Sequence, residues 1–173
     1  AMGGLRHLCG EPDRVPVRCG ISIGDTLAAL HGTIGVLTAL YHRKVNGGQG
    51  QVIAVALTEA VLNVMESLIP EYSAFGVVRE PAGSALPGIA PSNAYRCQDG
   101  VVLIAGNGDS IFKRLMATIG RDDLGNDAGL ADNAGRVVRV VEIDHAIEDW
   151  TSMRSVNDVL ALLAEARVPA GRV

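Results

Sequence analysis

Gly24-Asp25 is the pair in this chain best placed to do chemistry. The carboxylate opens a long apolar pattern, Asp25-Thr-Leu-Ala-Ala-Leu-His-Gly-Thr-Ile-Gly-Val-Leu-Thr-Ala-Leu40. An acid at the mouth of a helix can be an N-cap, its oxygen accepting a backbone N–H two or three residues on. It can also be a nucleophile held in the positive field of the first-turn amides. Position alone speaks for the cap, because Asp is a favoured residue there. Other reactive side chains form weaker patterns. His7, His31, His42 and His145 show no metal-ligand spacing. Gly106-Asn-Gly108 lacks the third glycine of a dinucleotide fingerprint and reads as a strand-end turn. Cys9, Cys19 and Cys97 are odd in number, with no C-x-x-C. They read as reduced thiols of a cytoplasmic protein, serving packing rather than chemistry. Met65, Met116 and Met153 read as core, and Trp150 as a residue packed under a helix.

Composition narrows the setting for Asp25. Of the 173 residues 48% are hydrophobic and only 3% aromatic, so the core must be built from aliphatic side chains. That argues against an aromatic platform for bases or sugars. The net charge is −4 with acids and bases interspersed, and no basic block points to nucleic acid or a membrane surface. A chain of this length would bury roughly 70% of its unfolded surface. No uninterrupted apolar run reaches the about 18 residues that span a bilayer, and no signal peptide is visible. The opening Ala1-Met-Gly-Gly4 and the closing Val168-Pro-Ala-Gly-Arg-Val173 both read as cut from something longer.

The elements that must position Asp25 follow from periodicity. Residues 1–24 are broken by Gly10, Pro12, Pro16 and Gly20 and read as irregular. Leu27, Leu30, Ile34, Leu37 and Tyr41 recur at helical spacing and define one apolar face of a helix from Asp25 to Lys44. His42, Arg43 and Lys44 suit its C-terminal end, and Gly47-Gly48 stop it. Gln51–Leu57 reads as a short buried strand, with Thr58 capping a second helix to about Phe75 that Pro70 kinks or divides. Residues 76–93, rich in Pro and Gly, look like a linker. Beyond it, Asn93–Cys97 and Val101–Ala105 flank Gln98-Asp-Gly100 as a hairpin, Asp99 serving the turn. Helices are expected over 110–119, about 134–151 and 156–166, with 121–133 irregular. Ser155 and Asp158 make a capping-box-like start for the last helix. A strand with a helix on either side cannot cover its own edges, so the first part needs strands from elsewhere.

Several stretches, taken in order, resemble the class III (CaiB/BaiF, formyl-CoA transferase-like) coenzyme A transferases. They are Ala1-Met-Gly-Gly-Leu5 with Gly10, Gly24-Asp25, the helix ending Leu37–Lys44, and Asn46-Gly-Gly-Gln-Gly-Gln-Val-Ile-Ala-Val-Ala-Leu-Thr-Glu-Ala60. Pro87–Pro91, Tyr95, Asp99-Gly100, Gly106-Asn107 and Val168–Gly171 continue the match through nearly the whole chain. The resemblance implies an α/β fold class: the end of a Rossmann-like large domain over residues 1–76, a linker over 77–92, and a small α+β domain over 93–173. It also implies a partial chain lacking the N-terminal part, where the family carries most contacts to the CoA nucleotide, so no CoA-binding residue is assigned.

The resemblance carries the role of nucleophile onto Asp25. The implied activity moves CoA between carboxylic acids through a mixed anhydride and an aspartyl-CoA thioester, a difficult step divided into easier ones. An Asp is ionised at neutral pH, its ordinary pKa being about 3.9, and the site must keep water from the anhydride. CoA is then a substrate, with no permanently bound cofactor and no metal. The partners are acyl-CoA and small carboxylic acids, and the assembly is an interlocked homodimer, with neither nucleic acid nor membrane. Ala54 stands where many members have Asp, and the glycine-run loop of some formyl-CoA transferases is missing. Two alternatives remain: an α-methylacyl-CoA racemase of the same scaffold, and a non-catalytic oligomerisation fragment. Racemases tend to follow the Asp with glycines; Thr-Leu-Ala-Ala-Leu here favours transfer.

Overall fold

A computed structural model describes residues 2–173. The chain separates into two compact units, one ending at Gly83 and the other beginning at Ser84, and each is described by itself.

The first unit is built on one long helix. A short turn, α1 (Leu5–Leu8), precedes α2 (Ile23–Val45); α3 (Leu57–Asn63) and α4 (Leu68–Phe75) follow. Helix α2 has the basic residues His42, Arg43 and Lys44 in its last turn, and Asn46 donates its N–H to the His42 carbonyl at its end. The packing face of α2 differs from the expectation. Leu30, Ile34, Leu37 and Tyr41 are exposed, at 55%, 62%, 62% and 70%. The face that docks carries small residues and His31. At Gly35 an added Cβ would lie 2.8 Å from Ile53 Cγ2. One His31 nitrogen lies 2.8 Å from the Leu27 carbonyl and the other 3.2 Å from Asn63 Oδ1 on α3. Periodicity locates a helix but does not say which of two apolar stripes touches its own unit.

Two further expectations need correction. Residues 51–56 belong to no helix or strand among the described residues, with Ala56 in extended backbone, and Leu57 already starts α3. A strand is defined by its ladder partner, and the described residues offer none. The expected second helix is two helices, and its N-cap is Ala56 rather than Thr58. The break lies over 64–67, where Glu66 has φ 54°, and it precedes Pro70. Pro70 sits in the first turn of α4, where its missing N–H costs no helical hydrogen bond. Arg79 closes this region by donating to Glu71 at 2.6 and 2.8 Å and to the Ser67 hydroxyl at 2.8 Å. Those donors, with the Ser67 hydroxyl on Glu71, hold the Glu71 pKa down at about 2.

Helix α2 holds no uninterrupted apolar run of membrane-spanning length, yet an 18-residue window of it reaches a mean hydropathy of 1.3, enough by length and composition to cross a bilayer, a test that core helices of soluble proteins also pass. Gly, Thr and His interrupt every apolar run without lowering the average below that level.

The second unit closes on itself. Strands β1 (Ser92–Cys97) and β2 (Gly100–Ala105) pair antiparallel, Cys97 opposite Gly100, around the expected Gln98-Asp99 turn. A third strand, β3 (Ala170–Arg172), pairs antiparallel with β2. Alternation buries Val102 and Ile104 on one side of β2 and leaves Leu103 exposed. Helices α5 (Asp109–Thr118), α8 (Val140–Ser152) and α9 (Val156–Glu165) complete the core. They contribute Phe112, Leu115 and Met116; Ile143, Ile147 and Trp150; and Val156, Val159 and Leu163. Met153, expected in the core, is 75% exposed. Ser155 accepts from the Asp158 N–H at 3.1 Å, as the capping box requires. Asp99 does more than turn the hairpin: its carboxylate accepts from the Val156 N–H at 2.7 Å, at the start of α9. The expected helix over 134–151 breaks at Arg139 into α7 (Asn133–Val138) and α8. The 121–133 stretch holds two short turns, α6 (Asp122–Gly125) and a 3-10 turn (Ala128–Leu130), that bury Leu124 and Leu130.

Arg136 of α7 is fully buried beneath these loops. It donates to the carbonyls of Ala90, Leu130 and Asn107 at 3.1, 3.0 and 2.7 Å and to Asp109 at 2.7 Å. Its guanidinium lies 5.0 Å from the Phe112 ring centre. One planar fork thus satisfies three loop carbonyls that would otherwise be stranded. Arg136→Met in the full-length protein is expected to cost about 1–3 kcal/mol for each buried carbonyl left without a donor, read from urea unfolding of this unit by Trp150 fluorescence. A loss below about 1 kcal/mol would show that the loops rearrange around the missing group.

Candidate functional site

Asp25 lies in the first turn of α2, three residues after the N-cap. The cap position belongs to Ser22, whose side chain makes no capping bond, so Asp25 is not the cap that its position in the sequence suggested. Thr26 returns both its N–H and its hydroxyl to the Ser22 carbonyl, each at 3.1 Å, which fixes the entry of the helix. The Asp25 carboxylate is exposed and has no hydrogen-bond or ion-pair partner among the described residues. It stands in the positive field of the helix start with no internal claim on its oxygens.

A surface cavity of about 330 Å³ opens beside it. Asp25 and Gly24 of α2 line it together with Thr58 and Val61 of α3, and much of the remaining wall comes from the segment before α2. That segment brings Arg6, Arg18, Cys9 and Cys19 to the cavity wall. Arg6 and Arg18 are exposed, and neither forms an ion pair among the described residues. The cysteine sulfurs lie 4.0 Å apart. Burial, followed by the hydrogen bond and charge of Cys19, pushes the Cys9 pKa up. The cavity can therefore accept an anionic group near a free carboxylate, with aliphatic walls around it.

Close packing makes this geometry. A Cβ at Gly3 would lie 2.6 Å from Val61 Cγ1 and 3.1 Å from the Thr58 carbonyl. A Cβ at Gly24 would make ordinary contact with Val61, at 3.5 Å. The N-terminal segment and α2 thus meet on one valine of α3. Asp25 and Gly24, singled out by the sequence, both line this cavity, while nothing in the sequence announced that Arg6, Arg18, the two cysteines and Thr58 would line it too. Their approach depends on a loop closed by the Val17 N–H on the Cys9 carbonyl at 2.9 Å, with Gly10 at φ 128° and Asp13 at φ 57°. Gly10 and Pro12 marked a loop, but nothing local gave its closure. No group of three His, Cys, Asp or Glu among the described residues could hold a metal ion.

With this geometry in view, the relatives are informative. The model of CoA-transferase family III matches residues 1–173, and the chain belongs to that family. It is 44% identical over its whole length to a succinyl-CoA–D-citramalate CoA-transferase of Chloroflexus aurantiacus, spanning 43% of that protein. It is 32% identical over 99% of its length to the alpha subunit of a succinyl-CoA–L-malate CoA-transferase of the same organism, spanning 40% of it. A crystal structure of a CaiB/BaiF family protein from Brucella suis superposes with a TM-score of 0.75 at 34% identity, covering 99% of this chain and 45% of that one. The mixed helix-and-sheet fold is thus that of the CaiB/BaiF proteins, and the chain spans less than half the length of these relatives.

Gly3→Ala in the full-length protein is expected to overpack Val61 at a cost of about 1–3 kcal/mol, lowering the Tm by several degrees. An unchanged thermal melt would mean that α3 gives way freely at this contact.

Proposed function

We propose that the protein containing this chain moves CoA between carboxylic acids, with Asp25 as the nucleophile. The observation that carries the reading is a carboxylate without a partner, at the start of a long helix and on the wall of a cavity, in a chain of this family. The Asp25 carboxylate attacks the thioester carbonyl; the C–S bond breaks and CoA leaves as thiolate, giving a mixed anhydride. The thiolate then attacks the Asp25 acyl carbon, releasing the donor acid and leaving an aspartyl-CoA thioester. The acceptor carboxylate repeats these steps in reverse. The first turn of α2, on which Asp25 sits, offers backbone N–H donors that suit the developing oxyanions. CoA enters and leaves as substrate, and the chemistry needs no resident cofactor or metal.

Succinyl-CoA is the donor to test first, because two relatives carry it in their names. Its free carboxylate suits Arg18 and Arg6 on the same cavity wall. The exposed Leu30, Ile34, Leu37 and Tyr41 of α2 suit cover by the rest of the chain in an interlocked homodimer. The enzyme is read as cytoplasmic, in keeping with its three free cysteines.

The test is trapping. Full-length protein incubated with succinyl-CoA and then hydroxylamine is expected to carry a hydroxamate at Asp25, located by peptide mass spectrometry. Asp25→Asn is expected to lose turnover by about a thousandfold or more. An Asn variant that still transfers CoA, with no adduct in the parent, would overturn the assignment; exchange of the α-proton in deuterated water without transfer would point to a racemase.

The arginine assignment makes its own prediction. Arg18→Gln is expected to raise the KM for succinyl-CoA about tenfold, the lower range for loss of a charged hydrogen bond, and to leave that for acetyl-CoA within about twofold. Equal losses on both donors would assign Arg18 to the CoA moiety or to folding instead.

A further inference from the structure

Two thiols on the wall of the Asp25 cavity have no part in the transfer chemistry. The sulfurs of Cys9 and Cys19 lie 4.0 Å apart, and neither touches another polar partner among the described residues. We propose that Cys9 and Cys19 form a thiol oxidation site, which hydrogen peroxide closes to an intraloop disulfide and a dithiol reopens. This goes beyond the transferase reading and does not rest on it.

Backbone closure, rather than chance side-chain placement, brings the pair together. The Val17 N–H bonds to the Cys9 carbonyl at 2.9 Å, and the Gly83 N–H holds the Gly10 carbonyl at 2.9 Å. Gly10 takes φ 128°, a turn that a side chain would strain. The entropy of closing the loop is therefore already spent in the folded chain, and each sulfur meets the other at high effective concentration. A disulfide needs an S–S distance of about 2.05 Å, so the sulfurs must close by about 2 Å, within reach of side-chain rotation and a small loop adjustment. Both cysteines are half-buried, open enough for a small oxidant. Cys97 lies in the other unit and serves as an internal control.

The chemistry balances. One thiolate sulfur attacks a peroxide oxygen, and the O–O bond breaks. Hydroxide leaves as water after taking a proton, and the sulfur becomes a sulfenic acid. The second thiolate attacks that sulfur; the S–S bond forms, the S–O bond breaks, and the departing hydroxide becomes a second water. Two thiols are oxidised by two electrons in all, and one peroxide is reduced to two waters. Because burial and the adjacent sulfur hold the Cys9 proton more tightly than usual, closure is expected to quicken as the pH rises from 7 to 9. The product fixes the loop that carries Arg18 to the cavity.

Trypsin provides a clean readout, since it cuts after Arg6, Arg14, Arg18 and Arg43. Cys9 then lies in the peptide 7–14 and Cys19 in the peptide 19–43. Full-length protein is reduced, treated with hydrogen peroxide, alkylated, and digested without reductant. Most of the Cys9 peptide is expected linked to the Cys19 peptide, more so at pH 9 than at pH 7 for equal times, and fully released by dithiothreitol. Cys19→Ser is expected to abolish the linked species and leave a sulfenic acid at Cys9 that dimedone traps. Separate alkylated or over-oxidised Cys9 and Cys19 peptides, or preferential linkage of either to the Cys97 peptide, would overturn the proposal. The readout is independent of turnover, so it stands or falls apart from the transferase reading.

Discussion

The steric limit at Val61 governs the site. Gly3 and Gly24 approach this side chain from two directions, and the Gly3 contact leaves no room for a Cβ. Since packed interiors do not yield easily to an added carbon, the small residues fix where the N-terminal segment meets α2 and α3. The cavity is the space left between them. The same principle recurs further along α2, where Gly35 lies against Ile53. Asp25 is placed by contacts that none of its own atoms makes. Its freedom from internal partners among the described residues is consistent with this: the neighbour that sets its place is a valine, the Ser22 side chain makes no capping bond, and the Thr26 hydroxyl turns back to the Ser22 carbonyl.

The two units solve the burial problem differently. From Ser84 onward the chain encloses a mainly aliphatic core that also holds Tyr95, Phe112 and Trp150, and the buried Arg136 fork satisfies the loop carbonyls over it. Among the described residues of the first unit, Ala60 and Met65 are the hydrophobic side chains that are buried, while α2 leaves large apolar side chains exposed. A side chain such as Leu or Ile gains about 1.5–3 kcal/mol on full burial. A continuous stripe of four along one helix is thus a strong pull toward a covering surface. This asymmetry fits a second unit that buries its own core and a first unit whose apolar α2 face is left uncovered within these 173 residues.

Elements whose cause is local were legible in the sequence. The Gln98-Asp-Gly hairpin, the Ser155–Asp158 cap and the helices built on Phe112, Ile143 and Val159 each follow from a few neighbouring residues. Where the cause is distant, the reading failed. Residues 51–56 have strand composition but no ladder partner among the described residues, and β3 is three residues whose pairing depends on β2 about seventy positions away. The docking face of α2 was misread because hydrophobic periodicity weighs Leu and Ile above Gly and Ala, while close approach needs the reverse. Asp25 was found as a functional candidate, yet its local role was not, since the helix begins two residues earlier than the acid. Arg6, Arg18 and the cysteines reach the cavity through a loop closure that no short motif announces.

Charge explains why a transferase acting on dicarboxylic thioesters would need those arginines. Attack by one carboxylate on a thioester bearing another brings two negative charges together. Near a protein surface such a pair at 4 Å repels by about 4 kcal/mol, enough to slow the encounter about a thousandfold if nothing offset it. The start of α2 offsets part of this, at roughly half a positive charge. Two guanidiniums without acidic partners offset more, and their planar forks orient the distal carboxylate as well as neutralise it. An enzyme for uncharged acyl groups has no such repulsion to overcome, and arginines at the same wall would then hold no acyl carboxylate. On the proposed transferase reading, a carboxylate and two guanidiniums on one cavity wall, all without ionic partners among the described residues, suit an acyl group that carries its own carboxylate.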